Sequence, residues 1–225
     1  MDLLLTCKFC NKTFKRESTL IKHVCEKKRR YLAKDEKHVI IAYKTYVKFY
    51  EASTNKQNIT MEDFQNSSFY NAFVKFGSFV NNVKPLYTDK FIKYIISSNV
   101  KIDKWCDESL YEKYIMDLIR CENVETALER SIQHMITWGE NTGENWFDYF
   151  ISISPSKAMY DIKDGKISPW IILNSKNGKL LLQRFDDVQL NSIHNIINPA
   201  FWSFKFDRQK TDTILVKKII KEAGL

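Results

Sequence analysis

The chain has 225 residues, of which 44% are hydrophobic and 28% charged, with six glycines and four prolines. That composition predicts a folded soluble protein and excludes disordered, collagenous and low-complexity classes. No apolar run approaches the roughly 20 residues that cross a bilayer, which excludes a membrane span. The formal net charge is +8, and residues 1–50 hold all of the excess, with 13 Lys or Arg against 5 Asp or Glu.

The opening Met-Asp-Leu-Leu-Leu-Thr has neither a basic leading segment nor a small-residue cleavage site, so a secretory signal is not expected. The five cysteines are an odd number, and three of them fall between Cys7 and Cys25. A metal site in a reducing compartment fits that usage better than a disulfide scaffold.

Cys7-Lys-Phe-Cys10 is a C-x2-C knuckle, followed at regular spacing by Phe14, Leu20 and His23. The order C-x2-C-x3-F-x5-L-x2-H matches three ligands and both core hydrophobes of a ββα zinc finger. In such a module two thiolates on a tight turn hold Zn2+ against a short helix, and the core is too small to fold without the metal. The fourth ligand is irregular, because Glu26, Lys27 and Lys28 occupy the expected window. Cys25 is the expected fourth ligand, with His38 in reserve. Residues two apart on a helix point away from each other, so His23 and Cys25 can share an ion only if the helix ends or tightens there. No catalytic constellation in the sequence calls for an activated water, so the site reads as structural.

The finger's base-facing helix positions fall on Arg16, Thr19 and Lys22. With Lys15 and the run Lys27-Lys28-Arg29-Arg30, they form the candidate DNA-binding set. Clustered cations of this kind gain from phosphates through counterion release. One finger spans only ~3 bp, so it adds affinity or grips a partner rather than selecting a sequence.

Beyond the finger the periodicity predicts helices throughout. The first runs over 35–52 and breaks at Ser53-Thr54-Asn55-Lys56. A capping box at Thr60 and Asp63 opens a short helix. The next spans Ser67–Val83, with Phe69, Phe73, Phe76 and Val80 on a core stripe and Pro85 after its end. Thr88 is expected to cap 89–98, and Val100–Trp105 reads as a turn before 107–120. The second half predicts 123–139, 144–152, 155–164 after Ser154-Pro155, and a segment after Ser168-Pro169. Asn177-Gly178 reads as a turn or helix stop, helices follow at 179–184, 186–197 and 207–223, and Asn198–Trp202 reads as a link. The expected fold class is therefore mainly α: a finger with a basic tail (1–30), then an all-helical body in two lobes (31–120 and 121–225).

The sequence has no phosphate loop, no H-E-x-x-H, no G-x-S-x-G and no dinucleotide-binding glycine pattern. His134 and His194 read as packed or surface histidines, and no enzymatic activity is expected.

Several segments of the body carry a family resemblance. They are Ala42-Tyr43-Lys-Thr-Tyr46 with the helix ending at Val83, the helix Lys90–Asn99 with its Trp105 turn, and Tyr111–Leu118. In the second half they are Met159–Leu173, Leu190–Ile197 and Phe201-Trp202. Over residues 37–222 the chain resembles the replicative-helicase loaders, or helicase assembly proteins, of T-even-type bacteriophages. The resemblance implies an all-helical two-lobed fold with an N-terminal lobe similar to an HMG box. It implies binding of forked or branched DNA, contact with the single-stranded-DNA-binding protein, and delivery of the replicative helicase in the cytoplasm of an infected bacterium. The finger departs from that family's pattern, so no DNA-binding residue of the body is carried over. A phage transcription or recombination regulator reading duplex DNA, and a structure-specific nuclease, are the alternatives.

Overall fold

A computed structural model describes residues 5–54 and 57–225 of the chain. The reading of Met1–Leu4 as no secretory signal, and the expected helix break at Asn55 and Lys56, lie outside the described residues. The chain divides into two compact units, Met1–Asp107 and Glu108–Leu225.

In the first unit, β1 (Leu5–Thr6) pairs antiparallel with β2 (Thr13–Phe14), Leu5 opposite Phe14 and Thr6 opposite Thr13. Helix α1 (Glu17–Lys22) completes the ββα module. Helix α2 (Glu26–Leu32) follows directly, so the basic run is helical rather than a tail. Then come α3 (Lys37–Thr54), α4 (Met61–Asn66), α5 (Tyr70–Val83) and α6 (Thr88–Ser97). The expected capping box forms: the Thr60 hydroxyl accepts from the Asp63 N–H, and the Asp63 carboxylate accepts from the Thr60 N–H. Thr88 is not a cap. It is the first helical residue, its hydroxyl donates to the Pro85 carbonyl, and Tyr87 at φ 53° takes the cap position.

The core of this unit is the crossing of α3 and α5, where Val39, Ala42, Tyr46, Phe73, Phe76 and Val80 are buried. Gly77 makes the crossing close: a Cβ there would stand 2.2 Å from the His38 carbonyl oxygen. The phenylalanine stripe is core, as its period predicts, except for Phe69, which is half-exposed at the start of α5. Trp105 packs edge-on against Phe73 and Phe76, and its indole N–H donates to the Val100 carbonyl.

The second unit contains α7 (Glu108–Cys121), α8 (Val124–Thr142), α9 (Tyr149–Ser152) and α10 (Pro155–Lys163). It continues with α11 (Pro169–Ile172), α12 (Lys176–Leu182), α13 (Asp187–Ile197), α14 (Pro199–Arg208) and α15 (Lys210–Glu222). Helix α7 packs against α13, so the division falls at 107/108, whereas the sequence places it at 120/121.

The signals Ser154-Pro155 and Ser168-Pro169 both start helices, and the Asn123 side chain caps α8. Three local readings differ from the structure. Asn177-Gly178 lies inside α12, because Gly178 lets that helix approach Ile172, whose carbonyl oxygen would stand 2.4 Å from an added Cβ. The Asn198–Trp202 link is the start of α14, with the Asn198 side chain accepting from the Phe201 N–H and Pro199 in the first turn. The single helix expected over 207–223 is interrupted at Gln209, where ψ is 55°. No helix among the described residues is long and apolar enough to cross a membrane.

Candidate metal centre and its cationic surround

The ligand atoms of Cys7, Cys10, His23 and Cys25 all lie within 4.8 Å of one another. A tetrahedral ion with metal–sulfur bonds of about 2.3 Å separates its sulfurs by roughly 3.8 Å, so this set closes around one ion with little adjustment. Three sulfurs and an imidazole suit a borderline-soft divalent metal and are consistent with zinc.

Backbone geometry explains how the four residues meet. The Cys7 N–H donates to the Lys12 carbonyl, and the Asn11 N–H donates to the Cys7 carbonyl. Asn11, at φ 57°, supplies the left-handed residue that closes the knuckle. Helix α1 has only six residues, and His23 leaves it in extended geometry, φ −70° and ψ 119°. That exit lets Cys25, two residues on, turn to the same side as His23. The His23 Nε2 then lies 3.2 Å from the Cys10 sulfur, and its ring packs on Phe14 with centroids 4.8 Å apart.

Cys25 has a second task. It is the N-cap of α2, and its sulfur accepts from the Lys28 N–H at 3.4 Å. A backbone N–H from Phe9 holds the Cys7 thiol below its ordinary range, against the effect of burial. At Cys10 the Lys12 N–H acts in the same sense, but burial and the neighbouring Cys7 and Cys25 sulfurs outweigh it and push the thiol up. His38, in the first turn of α3, is not in the cluster; its Nδ1 lies 3.5 Å from the carboxylate of Glu36, just before that helix.

The candidate DNA-binding residues divide into two groups. Lys15, Arg16, Thr19, Lys22, Lys27 and Arg29 are exposed. Lys28 and Arg30 are engaged within the protein. The Lys28 ammonium donates to the His23 carbonyl at 3.2 Å. The Arg30 guanidinium donates to the Gln65 carbonyl at 2.6 Å and the Ser67 carbonyl at 3.2 Å, and pairs with Glu26.

The second unit holds a buried polar centre that sequence reasoning missed. Asp161 is fully buried. Its carboxylate accepts from the Tyr149 hydroxyl at 3.0 Å and the Lys157 ammonium at 2.9 Å, and Lys166 stands 3.4 Å away. The His134 Nε2 is also 3.0 Å from Asp161, but without the alignment of a hydrogen bond. Burial works against the ionised carboxylate, but His134 and Lys157 together hold it well below the usual range. Burial and the facing Asp161 push the Tyr149 phenol far up. The only local trace in the sequence is the i,i+4 pair Lys157 and Asp161. Lys166 comes from the turn just after α10, and Tyr149 and His134 arrive by tertiary packing.

No family model matches the chain, and neither the curated proteins nor the solved structures compared with it gave a match.

Proposed function

We propose that this protein is a non-catalytic DNA-binding accessory factor, pinned at its N-terminal module by Zn2+, that loads a replicative helicase onto forked or protein-coated DNA. One observation carries the DNA-binding part: Lys15 and Arg16 just before α1, Lys22 at its end, and Lys27 and Arg29 on α2 present exposed cationic side chains around the Cys3His set. Phosphates would draw counterion-releasing affinity from that surface, and Arg16, Thr19 and Lys22 would face the groove of a duplex. Zinc would hold the knuckle and the two helices in register and take no part in chemistry. Helicase loading, with contacts to the helicase and the single-stranded-DNA-binding protein, rests on the resemblance of residues 37–222 to phage helicase loaders.

The test is an affinity series on forks and blunt duplexes across salt, followed by unwinding assays. The reading expects tighter binding to forks, a steep fall in affinity with salt, and an earlier start of unwinding when the cognate helicase meets protein-coated forks. Equal affinity for fork and duplex with no effect on the helicase would remove the loader reading. Selective capture of one short duplex sequence would point to a regulator.

A further inference from the structure

A groove of about 450 Å³ opens among the metal knuckle, α2 and α4. Two aromatic rings line it. Phe9 sits between the ligands Cys7 and Cys10, and Tyr31 ends the second turn of α2; their centroids are 5.2 Å apart and the rings are inclined at 48°. Lys8, Lys27 and Lys34 line the same opening. The Lys8 ammonium lies 5.2 Å from the centre of the Phe9 ring, and that of Lys34 4.7 Å from the centre of Tyr31. Tyr31 is 42% exposed, unusual for a large ring beside a second aromatic. Glu62, from the first turn of α4, gives the groove a polarity: the finger and α2 side is cationic, and the α4 side carries a carboxylate.

Rings set among lysines are the two parts of a single-strand site, a stacking platform and a phosphate track. A paired duplex keeps its base faces covered and cannot use the rings. We propose that this groove is a subsite for single-stranded nucleic acid, in which one unpaired base stacks on the Phe9–Tyr31 pair and the flanking phosphates meet Lys8, Lys27 and Lys34. The inference rests on the DNA-binding reading above and adds the substrate class to it. A base entering the groove displaces the lysine ammonium groups from the ring faces toward its own phosphates, exchanging weak cation–π contacts for stacking and charge pairing. The carboxylate of Glu62 disfavours a phosphate on the α4 side, so the strand lies with its backbone along the finger and α2. Lys8 and Phe9 are the two residues between the first two cysteines of the metal set, so a bound ion would also fix this wall of the groove.

The experiment titrates the full-length, zinc-loaded protein with a short oligothymidylate carrying one 2-aminopurine, and in parallel with a blunt duplex. Stacking quenches the 2-aminopurine. Tyr31→Ala should abolish the quench and weaken single-strand binding by about tenfold or more, Tyr31→Phe should keep both, and Lys34→Glu should weaken binding through charge. Duplex affinity should persist in Tyr31→Ala and fall in the Arg16→Ala, Lys22→Ala double variant. Metal content and a thermal melt certify that each variant is folded. If the single strand binds wild type and Tyr31→Ala equally, or binds without quenching, the groove proposal is overturned while the DNA-binding reading stands. If wild type binds neither single strand nor duplex, both fall together.

Discussion

The Arg30 guanidinium lies over the ring of Tyr70, 4.4 Å from its centre, while its Nη1 reaches the carbonyls of Gln65 and Ser67. One side chain on α2 thus ties the metal-bearing end of the chain to α4 and to the start of α5. Replacing Arg30 by Met should cost about 1.5–3 kcal/mol in a urea titration, the range for hydrogen bonds to a charged group. Lysine should restore little of it, because a point charge cannot reproduce the planar fork that serves two carbonyls and a ring together.

Cys25 allows metal binding to be separated from helix capping. Serine is a good N-cap, so Cys25→Ser should leave the start of α2 capped while removing one ligand. The expected outcome is a chain that loses metal to a chelator at much lower concentration than wild type, read by metal analysis. Chelation of wild type should lower helicity in the first unit, with the melting of the second unit unchanged.

Gly77→Ala should destabilise the first unit. The added Cβ meets a backbone oxygen rather than a flexible side-chain end, so α3 and α5 must move apart. The expected cost is about 1–3 kcal/mol, as for overpacking in a filled core, with a lower melting temperature as the readout.

Arg130 and Glu122 form a doubly bonded ion pair, with both side chains largely buried, and the Arg130 Nε also donates to the Gly165 carbonyl at 2.7 Å. Glu122→Ala removes the carboxylate that faces a largely buried guanidinium and should cost about 3–5 kcal/mol. Replacing both residues by apolar ones of similar volume should cost far less. A double-mutant cycle by chemical denaturation measures the difference.

Asp161 makes the second unit sensitive to acid. Its folded pKa is depressed, so the folded state binds this proton less readily than the unfolded chain does. The associated stability is fully present above the unfolded value, near 4, and is lost as pH falls toward the lower folded one. His134, Lys157, Lys166 and Tyr149 are the groups that face the carboxylate. An Asp161→Asn variant should be less stable at neutral pH and show a flatter acid limb, read from melting temperatures between pH 3 and 7.

Much of the fold was readable from local chemistry. The C-x2-C knuckle with Phe14, Leu20 and His23 marks the ββα module, and Thr60 with Asp63 or Ser154 with Pro155 mark helix starts, because each signal acts within four residues. The misreadings have different causes, one in tertiary packing and one in a local cap that was passed over. Asn177-Gly178 looks like a stop until Ile172 is placed against it, and Asn198–Trp202 looks like a link although Asn198 caps a helix. Cys25 was legible as the nearest candidate for the fourth ligand in spite of its irregular spacing, but its role as the cap of α2 was not. The groove at Phe9 and Tyr31 and the placing of Tyr149 and His134 beside Asp161 depend on residues far apart in sequence, and no periodicity announces them.

Val24 alone separates His23 from Cys25, and Arg30 fastens the next helix to the body of the first unit. The finger therefore has no tether on which to swing, unlike modules strung on flexible linkers. Wherever such a tip docks, the heading of α3 and α5 is set with it. Binding at the tip would then act as an aiming device, and inserting a few glycines after Cys25 would blunt its aim and part α2 from the knuckle.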